Sequence, residues 1–582
     1  MYEKYLVPVP ESKGKITIKK KNDTAYVLFE YGRVYNSEKK YNIPQRSIIG
    51  KLYADDPKKM YPNEKYQEYF PDTTIFEELP VAYRSCCLKI GSYIVIDKIL
   101  REYDLPKMLG NCFDKNCGLF MDLVSYLIVD EENAGQYYPD YAFNHPLFST
   151  DMKIYSDSTV SRFFSSMTTD QSIAFLDNWN KKRNRQQRIY LSYDSTNKNC
   201  QAGDVDIVEF GKAKDDKGTP IFNLAIAFDS TYKVPLFYEE YPGSINDVSQ
   251  FTFMVDKVKE YRYKNIGFIL DRGYFSKDNI RYIDSNNYEF IIMAKGCKPL
   301  VSALIKRVKN TFETDRSCSI RAYKVYGTTV QSKLYEDDEK DRYFHIYYNP
   351  AKQAAEREKL EQKLDRLKAF IDKNIGDDTQ FGKTYQEYFD FNYDKNGRLL
   401  YYEEKSDVVS YELELCGYFC IITSEKMTTE KALILYKGRD ISEKLFRNDK
   451  SFLGSKSMRV QSDEAVSAKI FIEFVALIVR NRIYNLLKEE MIKLETKRNH
   501  LTVPAAIREL EKIEMVRRNN GKYRLDHAIT KTQKTILAAF GLDEEYVFSK
   551  ALEISKMLEQ SYSKADDQED NENGTKEIDY ED

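Results

Sequence analysis

The sequence predicts an α/β protein: a mixed sheet with flanking helices, interrupted by a β-rich insertion and preceded by a helical region. Three observations carry that prediction. Between about 188 and 300 the hydrophobic period switches in the order β, β, β, α, β, α, β. Two long helical patterns follow much later, over residues 432–450 and in the stretch after Ser462. A chain of 582 residues with 42% hydrophobic and 31% charged side chains is soluble and too long for one core, so it divides into several domains.

Residues 1–80 mix short β-type runs with turn residues and read as a β-rich region. From 81 to 187 the pattern is helical and ends with Phe175, Leu176 and Trp179 on one helix face. The basic run KKRNRQQR at 181–188 closes this part and reads first as a solvated linker. The first part of the core, 188–300, opens with IYLSYD, a strand expected to end on Asp194. IFNLAIAFD and VPLFYEEY are two further strands joined by a tight Ser-Thr-Tyr-Lys turn. Asn246 is placed to cap a helix carrying Val248, Phe251, Val255 and Val258. NIGFILDRGYF is a strand of the fully buried type that ends on Asp271, and YEFIIMAKG is the last of the series.

Residues 301–425 form the inserted subdomain, with a charged helix at 351–374 and a hairpin expected to turn at Asn396 and Gly397. The segment GDDTQFGKT at 376–384 imitates a phosphate-binding loop. It has the wrong glycine spacing, follows a helix where a strand is needed, and carries two aspartates that repel phosphate. Residues 426–500 complete the core, 501–562 are helical, and the acidic stretch 563–582 has the composition of a disordered tail.

Composition removes several function classes. A net charge of −3 excludes a uniformly basic nucleic-acid binder, so DNA contact must rely on local patches. Nine scattered cysteines lack zinc-ribbon spacing and fit reduced thiols in a cytoplasm. The N-terminal stretch has no apolar signal core, and the longest apolar run, 470–479, is broken by Glu473 and too short for a membrane. The expected location is therefore cytoplasmic, at the nucleoid when bound to DNA.

The candidate chemistry begins with the two aspartates. A helical connection into a later strand favours parallel pairing, and sites in such sheets lie beyond the carboxyl ends of strands. If the first and fourth strands are neighbours, Asp194 and Asp271 stand side by side and repel unless a cation joins them. Hard oxygen ligands of this kind suit Mg²⁺ or Mn²⁺. Downstream, the helical pattern of 432–450 puts Tyr436, Glu443 and Lys450 on one stripe, because seven residues return to within roughly 20° of the start. Arg439 lies one turn before Glu443. Taken by itself, this helix also reads as a salt-bridged, solvated face.

Together these residues resemble the DDE transposases of bacterial insertion sequences, in the group with a Tyr-x2-Arg-x3-Glu-x6-Lys signature. That signature is Tyr436, Arg439, Glu443 and Lys450, with "YDST" around Asp194 and "LDRGYF" around Asp271 as the first two acidic motifs. The resemblance spans about residues 81–490. It implies a ribonuclease-H-like core in which Asp194, Asp271 and Glu443 are catalytic and hold two Mg²⁺ (or Mn²⁺) ions about 4 Å apart. It also implies DNA contacts from Tyr436, Arg439 and Lys450, cleavage at transposon inverted repeats, strand transfer into target DNA, and a homodimer on DNA. The helices between 81 and 187 are the expected DNA-reading region. Two alternatives use the same residues: a DNA-binding derivative that no longer cuts, and a ribonuclease-H-like nuclease or resolvase.

Overall fold

The protein is described by a computed structural model that covers residues 5–573, apart from 13, 22–23, 74–83, 184–186, 202–204, 212–217, 246, 295–297, 440–456, 461, 496–497 and 519–521. Asn246, the expected helix cap, lies outside the described residues. Two compact units are formed: Met1–Leu88 with Glu514–His527 and Ala551–Asp582, and Lys89–Ile513 with Ala528–Lys550.

The first unit contains strands β1 (Val7–Pro8), β2 (Ile16–Lys21), β3 (Thr24–Asn36), β4 (Tyr41–Leu52) and β5 (Lys59–Pro62), then helix α1 (Glu64–Tyr69) and strand β6 (Cys87–Lys89). The first five make an antiparallel sheet in the order β1-β5-β4-β3-β2. Val7, Val27, Ile49, Met60 and Tyr66 form its core. Gly50 is required there: a Cβ would stand 2.4 Å from the carbonyl oxygen of Tyr61 on the neighbouring strand.

The second unit opens with six helices: α2 (Gly91–Glu102), α3 (Leu105–Phe113), α4 (Cys117–Asp130), α5 (Tyr138–Asn144), α6 (Asp157–Ser166) and α7 (Thr169–Lys181). The run 181–188 follows, and its described cations are internally engaged. Arg183 lies 4.0 Å over the Trp179 ring, and Arg188 pairs with Glu425 at 2.9 Å.

Next come β7 (Ile189–Cys200), β8 (Ile221–Asp229), β9 (Val234–Pro242), α8 (Asp247–Glu260), β10 (Ile266–Leu270), α9 (Lys277–Ser285) and β11 (Glu289–Met293). Their order across the sheet is β9-β8-β7-β10-β11. The first three pair antiparallel as consecutive hairpins, while β10 is parallel to both β7 and β11. Two differences from the sequence expectation appear here. The first strand does not end on Asp194: β7 continues six residues further because Ser195–Asn199 keep pairing with β8 down to Ile221. Its polar letters (STNKNC) hide a strand because their side chains are buried against protein rather than solvent.

The sheet also does not stop at five strands. After α10 (Lys298–Val308) come β12 (Ser319–Ile320), β13 (Val325–Ser332) and β14 (Arg342–Tyr348). Helices α11 (Pro350–Lys373) and α12 (Lys383–Gln386) lead to the hairpin β15 (Phe389–Tyr393) and β16 (Leu399–Glu404), then α13 (Ser406–Leu415) and β17 (Tyr418–Thr423). Strand β17 adds antiparallel to the open edge of β11 and is followed outward by β14, β13 and β12. An unpaired edge leaves backbone donors and acceptors unsatisfied, which is the reason for covering it. Leu364, Ile371, Phe389 and Leu399 give the helix and hairpin of the insertion their own core.

The rest of this part of the chain is α14 (Thr429–Gly438), β18 (Ser457–Met458), the long helix α15 (Asp463–Lys493) and α16 (Val503–Leu510). Ser462 caps α15, accepting from the Ala465 amide at 3.3 Å. Strands β19 (Glu514–Arg517) and β20 (Tyr523–Leu525), and helices α17 (Lys531–Ala539) and α18 (Glu544–Asn573), complete the order. Helix α18 runs through 563–573, where composition predicts disorder. A helix already nucleated extends at little cost through residues that include no proline.

Candidate functional site

Strand register brings the two aspartates together. In the parallel pair β7/β10, Ile269 lies opposite Ser192 and Leu270 opposite Tyr193. The next residue of β7 is Asp194, and the residue that directly follows β10 is Asp271. Side chains alternate along a strand, so Asp194 shares the face of Tyr190, Ser192 and Lys198, while Asp271 continues the side of Ile269. Adjacent strands lie about 4.8 Å apart, which sets the scale of this approach. Strand β10 stops at Leu270, whereas β7 continues; Asp194 therefore stands where β7 loses its parallel neighbour. Among the described residues, pairing on this side resumes at Asn199 and Cys200, with β18.

Helix α14 covers that face. Leu433 and Tyr436 pack with Tyr190, Ile269, Ile291, Tyr347 and Ile421 in one cluster, so the helix is seated on β7, β10, β11 and β17 together. Its start is fixed by Thr428, which caps the Lys431 amide, and by the Tyr347 hydroxyl, which donates to the Thr429 carbonyl at 2.7 Å. Arg439 follows the last helical residue, and its Nη1 reaches Asp271 Oδ1 at 3.0 Å. The guanidinium also lies 5.6 Å from the Tyr436 ring centroid. One predicted DNA-contact residue thus touches one predicted acid. Tyr436 is only 6% exposed and acts as part of the core. Asp194 Oδ1 accepts from the Ser195 amide at 2.9 Å.

Glu443 and Lys450 lie outside the described residues, as does the rest of the 432–450 pattern beyond Arg439. Among the described residues no group of three or more His, Cys, Asp or Glu side chains is placed to hold a metal. The two neighbouring carboxylates supply hard oxygen donors of the type that suits Mg²⁺ or Mn²⁺.

The sequence reading missed a second charged cluster on the same strand face. Lys198, four residues beyond Asp194, is fully buried and donates to Glu473 Oε2 of α15 at 2.6 Å. Lys469, one turn earlier on α15, is also buried; burial pushes its ammonium down to about 8, against the attraction of Glu473. The one available signal was Glu473 itself, a lone acid inside an otherwise apolar run. A buried helix tolerates such a residue only with a partner.

Among solved structures, the chain is similar to the piggyBac transposase in a synaptic complex with hairpin DNA, at 9% identity over 72% of this chain and 76% of that one, with a TM-score of 0.32. It is also similar to the Mos1 transposase in a paired-end complex with a left transposon end, at 12% identity over 29% of this chain and 57% of that one, with a TM-score of 0.14. No curated protein matches the sequence. Residues 190–479, which include Asp194, Asp271, the whole signature and Glu473, match the family described as the transposase DDE domain.

Proposed function

We propose that this chain is a transposase of the bacterial insertion-sequence type, with Asp194, Asp271 and Glu443 as its acidic triad. The observation that carries the reading is the register adjacency of Asp194 and Asp271 beneath α14, whose following Arg439 pairs with Asp271. The domain match over 190–479 supports it, as does the sheet order β9-β8-β7-β10-β11 with β10 and β11 parallel to β7, which we read as a ribonuclease-H-like core.

The three carboxylates would hold two Mg²⁺ or Mn²⁺ ions, which when bound supply an activated attacking oxygen and a stabilised leaving oxygen. The chain's own side chains do the positioning. Arg439 offsets the charge of Asp271 and presents a fork that fits phosphate oxygens, while Lys450 adds a point charge at the transposon end. The ring of Tyr436 seats α14 on the sheet and so holds Arg439 in place; by resemblance Tyr436 also contacts a phosphate at the transposon end. Synapsis of two ends calls for a homodimer on DNA.

The test is incubation of the purified chain with duplexes bearing the element's inverted repeats and Mg²⁺ or Mn²⁺. Expected are strand cleavage, then transfer into a target duplex, both lost in Asp194→Ala and Asp271→Ala. Cleavage undiminished in both variants refutes the assignment of the site. Tight, salt-sensitive end binding without cutting would instead identify a DNA-binding derivative, and cutting without strand transfer a nuclease or resolvase.

A further inference from the structure

In the first unit, strands β3 and β4 outrun their neighbours. Strand β2 pairs with β3 only over Thr24–Phe29, and β5 pairs with β4 only over Gly50–Leu52. Beyond those limits the two strands continue as a ribbon, with Val34 opposite Ile43, Tyr35 opposite Asn42 and Asn36 opposite Tyr41. Seven residues of extended chain, from Glu30 to Asn36, reach about 20 Å. An isolated two-stranded ribbon is marginal in water, yet this one leaves Val34, Tyr35 and Tyr41 more than half exposed. Its base is braced: Tyr31 stacks on Tyr69 of α1 at 5.8 Å, and Glu30 pairs with Arg33 at 2.7 Å and Arg46 at 3.3 Å. Those two guanidiniums hold the Glu30 carboxyl below the usual range. The tip turns through Lys39 and Lys40, both exposed.

Charge selects the partner. The ribbon, residues 30–46, carries four Lys and Arg against Glu30 and Glu38, a net of +2 in a chain whose total is −3, and β2 beside its base adds Lys19, Lys20 and Lys21. Two copies meeting through this ribbon would oppose their lysines, whereas a polyanion is attracted. The width also fits, since a major groove admits a two-stranded β-ribbon. We infer that the β3–β4 ribbon is a duplex-DNA-binding arm that enters the major groove, a role that rests on the DNA-processing function proposed above. Lys39 and Lys40 hold backbone phosphates, and Asn36 and Gln45 offer amides to base edges. Val34, Ile43 and Tyr41 supply apolar contact on the face they share. This arm lies outside the helices of 81–187, where the sequence pattern placed DNA reading.

The test uses the full chain and a labelled mixed-sequence duplex, with binding followed by fluorescence anisotropy between about 50 and 200 mM salt. The parent should bind with a steep salt dependence. Lys39→Gln/Lys40→Gln should flatten the slope of log K against log salt by about 2, near 0.9 per phosphate lost. Val34→Ser/Tyr41→Ser should weaken binding about tenfold with the slope unchanged, as expected for lost contacts to bases rather than phosphates. All four side chains are exposed, so the variants should fold like the parent. Parental affinity and slope in both variants overturns the inference. So does a change confined to the mass of the free protein in sedimentation, which would assign the ribbon to self-association. Cleavage is scored separately. Ribbon-dependent binding without any cleavage sinks the catalytic reading and supports this one; cleavage with ribbon-independent binding does the reverse.

Discussion

Glu473→Gln should be the most damaging single change among the charged residues buried around α15. The carboxylate sits 2.6 Å from Lys198, and both side chains are almost completely out of water. At an effective dielectric of about 20, two charges at that separation attract by about 6 kcal/mol, offset by several kcal/mol of desolvation for each ion. Removing one partner leaves the other buried without compensation, at a cost of about 3–5 kcal/mol. Here the two sides are unequal. Glu473 serves two lysines, because the buried Lys469 is also drawn to it. Glu473→Gln therefore removes the nearest counter-charge of two buried ammonium groups, Lys469 keeping the Arg459 carbonyl oxygen at 3.3 Å, and should cost about 3–5 kcal/mol, whereas Lys198→Met leaves Glu473 beside Lys469 and should cost less. The paired change Lys198→Met/Glu473→Leu should recover part of the loss, since replacing a buried pair by apolar groups is often neutral. Urea unfolding followed by Trp179 is the assay. Trp179 is the single tryptophan, is fully buried, and lies beside Phe175, whose ring contacts Phe471 of α15 at 5.2 Å. A Glu473→Gln midpoint equal to or above that of Lys198→Met would refute the two-lysine account.

Acid should act on the same fold through His345, buried between Thr329 and Thr423, whose hydroxyls lie 2.9 and 3.0 Å from its ring nitrogens. Burial lowers its pKa from 6.5 to about 4, so the unfolded chain binds the extra proton first. Its contribution is complete above pH 6.5 and is lost as pH falls toward 4, about 3 kcal/mol in all; a His345→Gln variant with an unchanged acid limb of thermal stability would contradict this. Gly438→Ala should be tolerated or stabilise by about 0.5–1 kcal/mol, since its Cβ would meet nothing within 4 Å among the described residues at the last position of α14. Gly211→Ala, by contrast, should destabilise clearly in the same urea titration, because a Cβ there would come 2.0 Å from the Gly243 carbonyl oxygen. Arg439→Gln should change stability by less than about 1 kcal/mol, its partner Asp271 being partly exposed, while lowering cleavage at limiting end DNA; unchanged cleavage would remove Arg439 from the proposed site.

Strand and helix types in the core were legible because burial on a regular element leaves a period in the sequence. IFNLAIAFD, NIGFIL and YEFIIM are buried on both faces, and such runs read as strands without knowledge of their partners. The adjacency of Asp194 and Asp271 was accessible for a related reason: a helical crossover favours parallel neighbours, and neighbours share register. The Asn396-Gly397 turn was equally local, with Gly397 at φ +81° between β15 and β16.

What the sequence determined by itself was every element whose stability is written in its own periodicity or turn chemistry. Tertiary structure decided the rest. The second half of β7 is a strand only because β8 pairs with it, and Lys198 is tolerable inside only because Glu473 arrives from 275 residues away. Nor does any local pattern say that β17 will cover the edge of β11, or that β3 and β4 will run past the sheet that starts them. Backbone pairing and charge compensation are satisfied between distant segments, so their requirement is invisible until those segments meet.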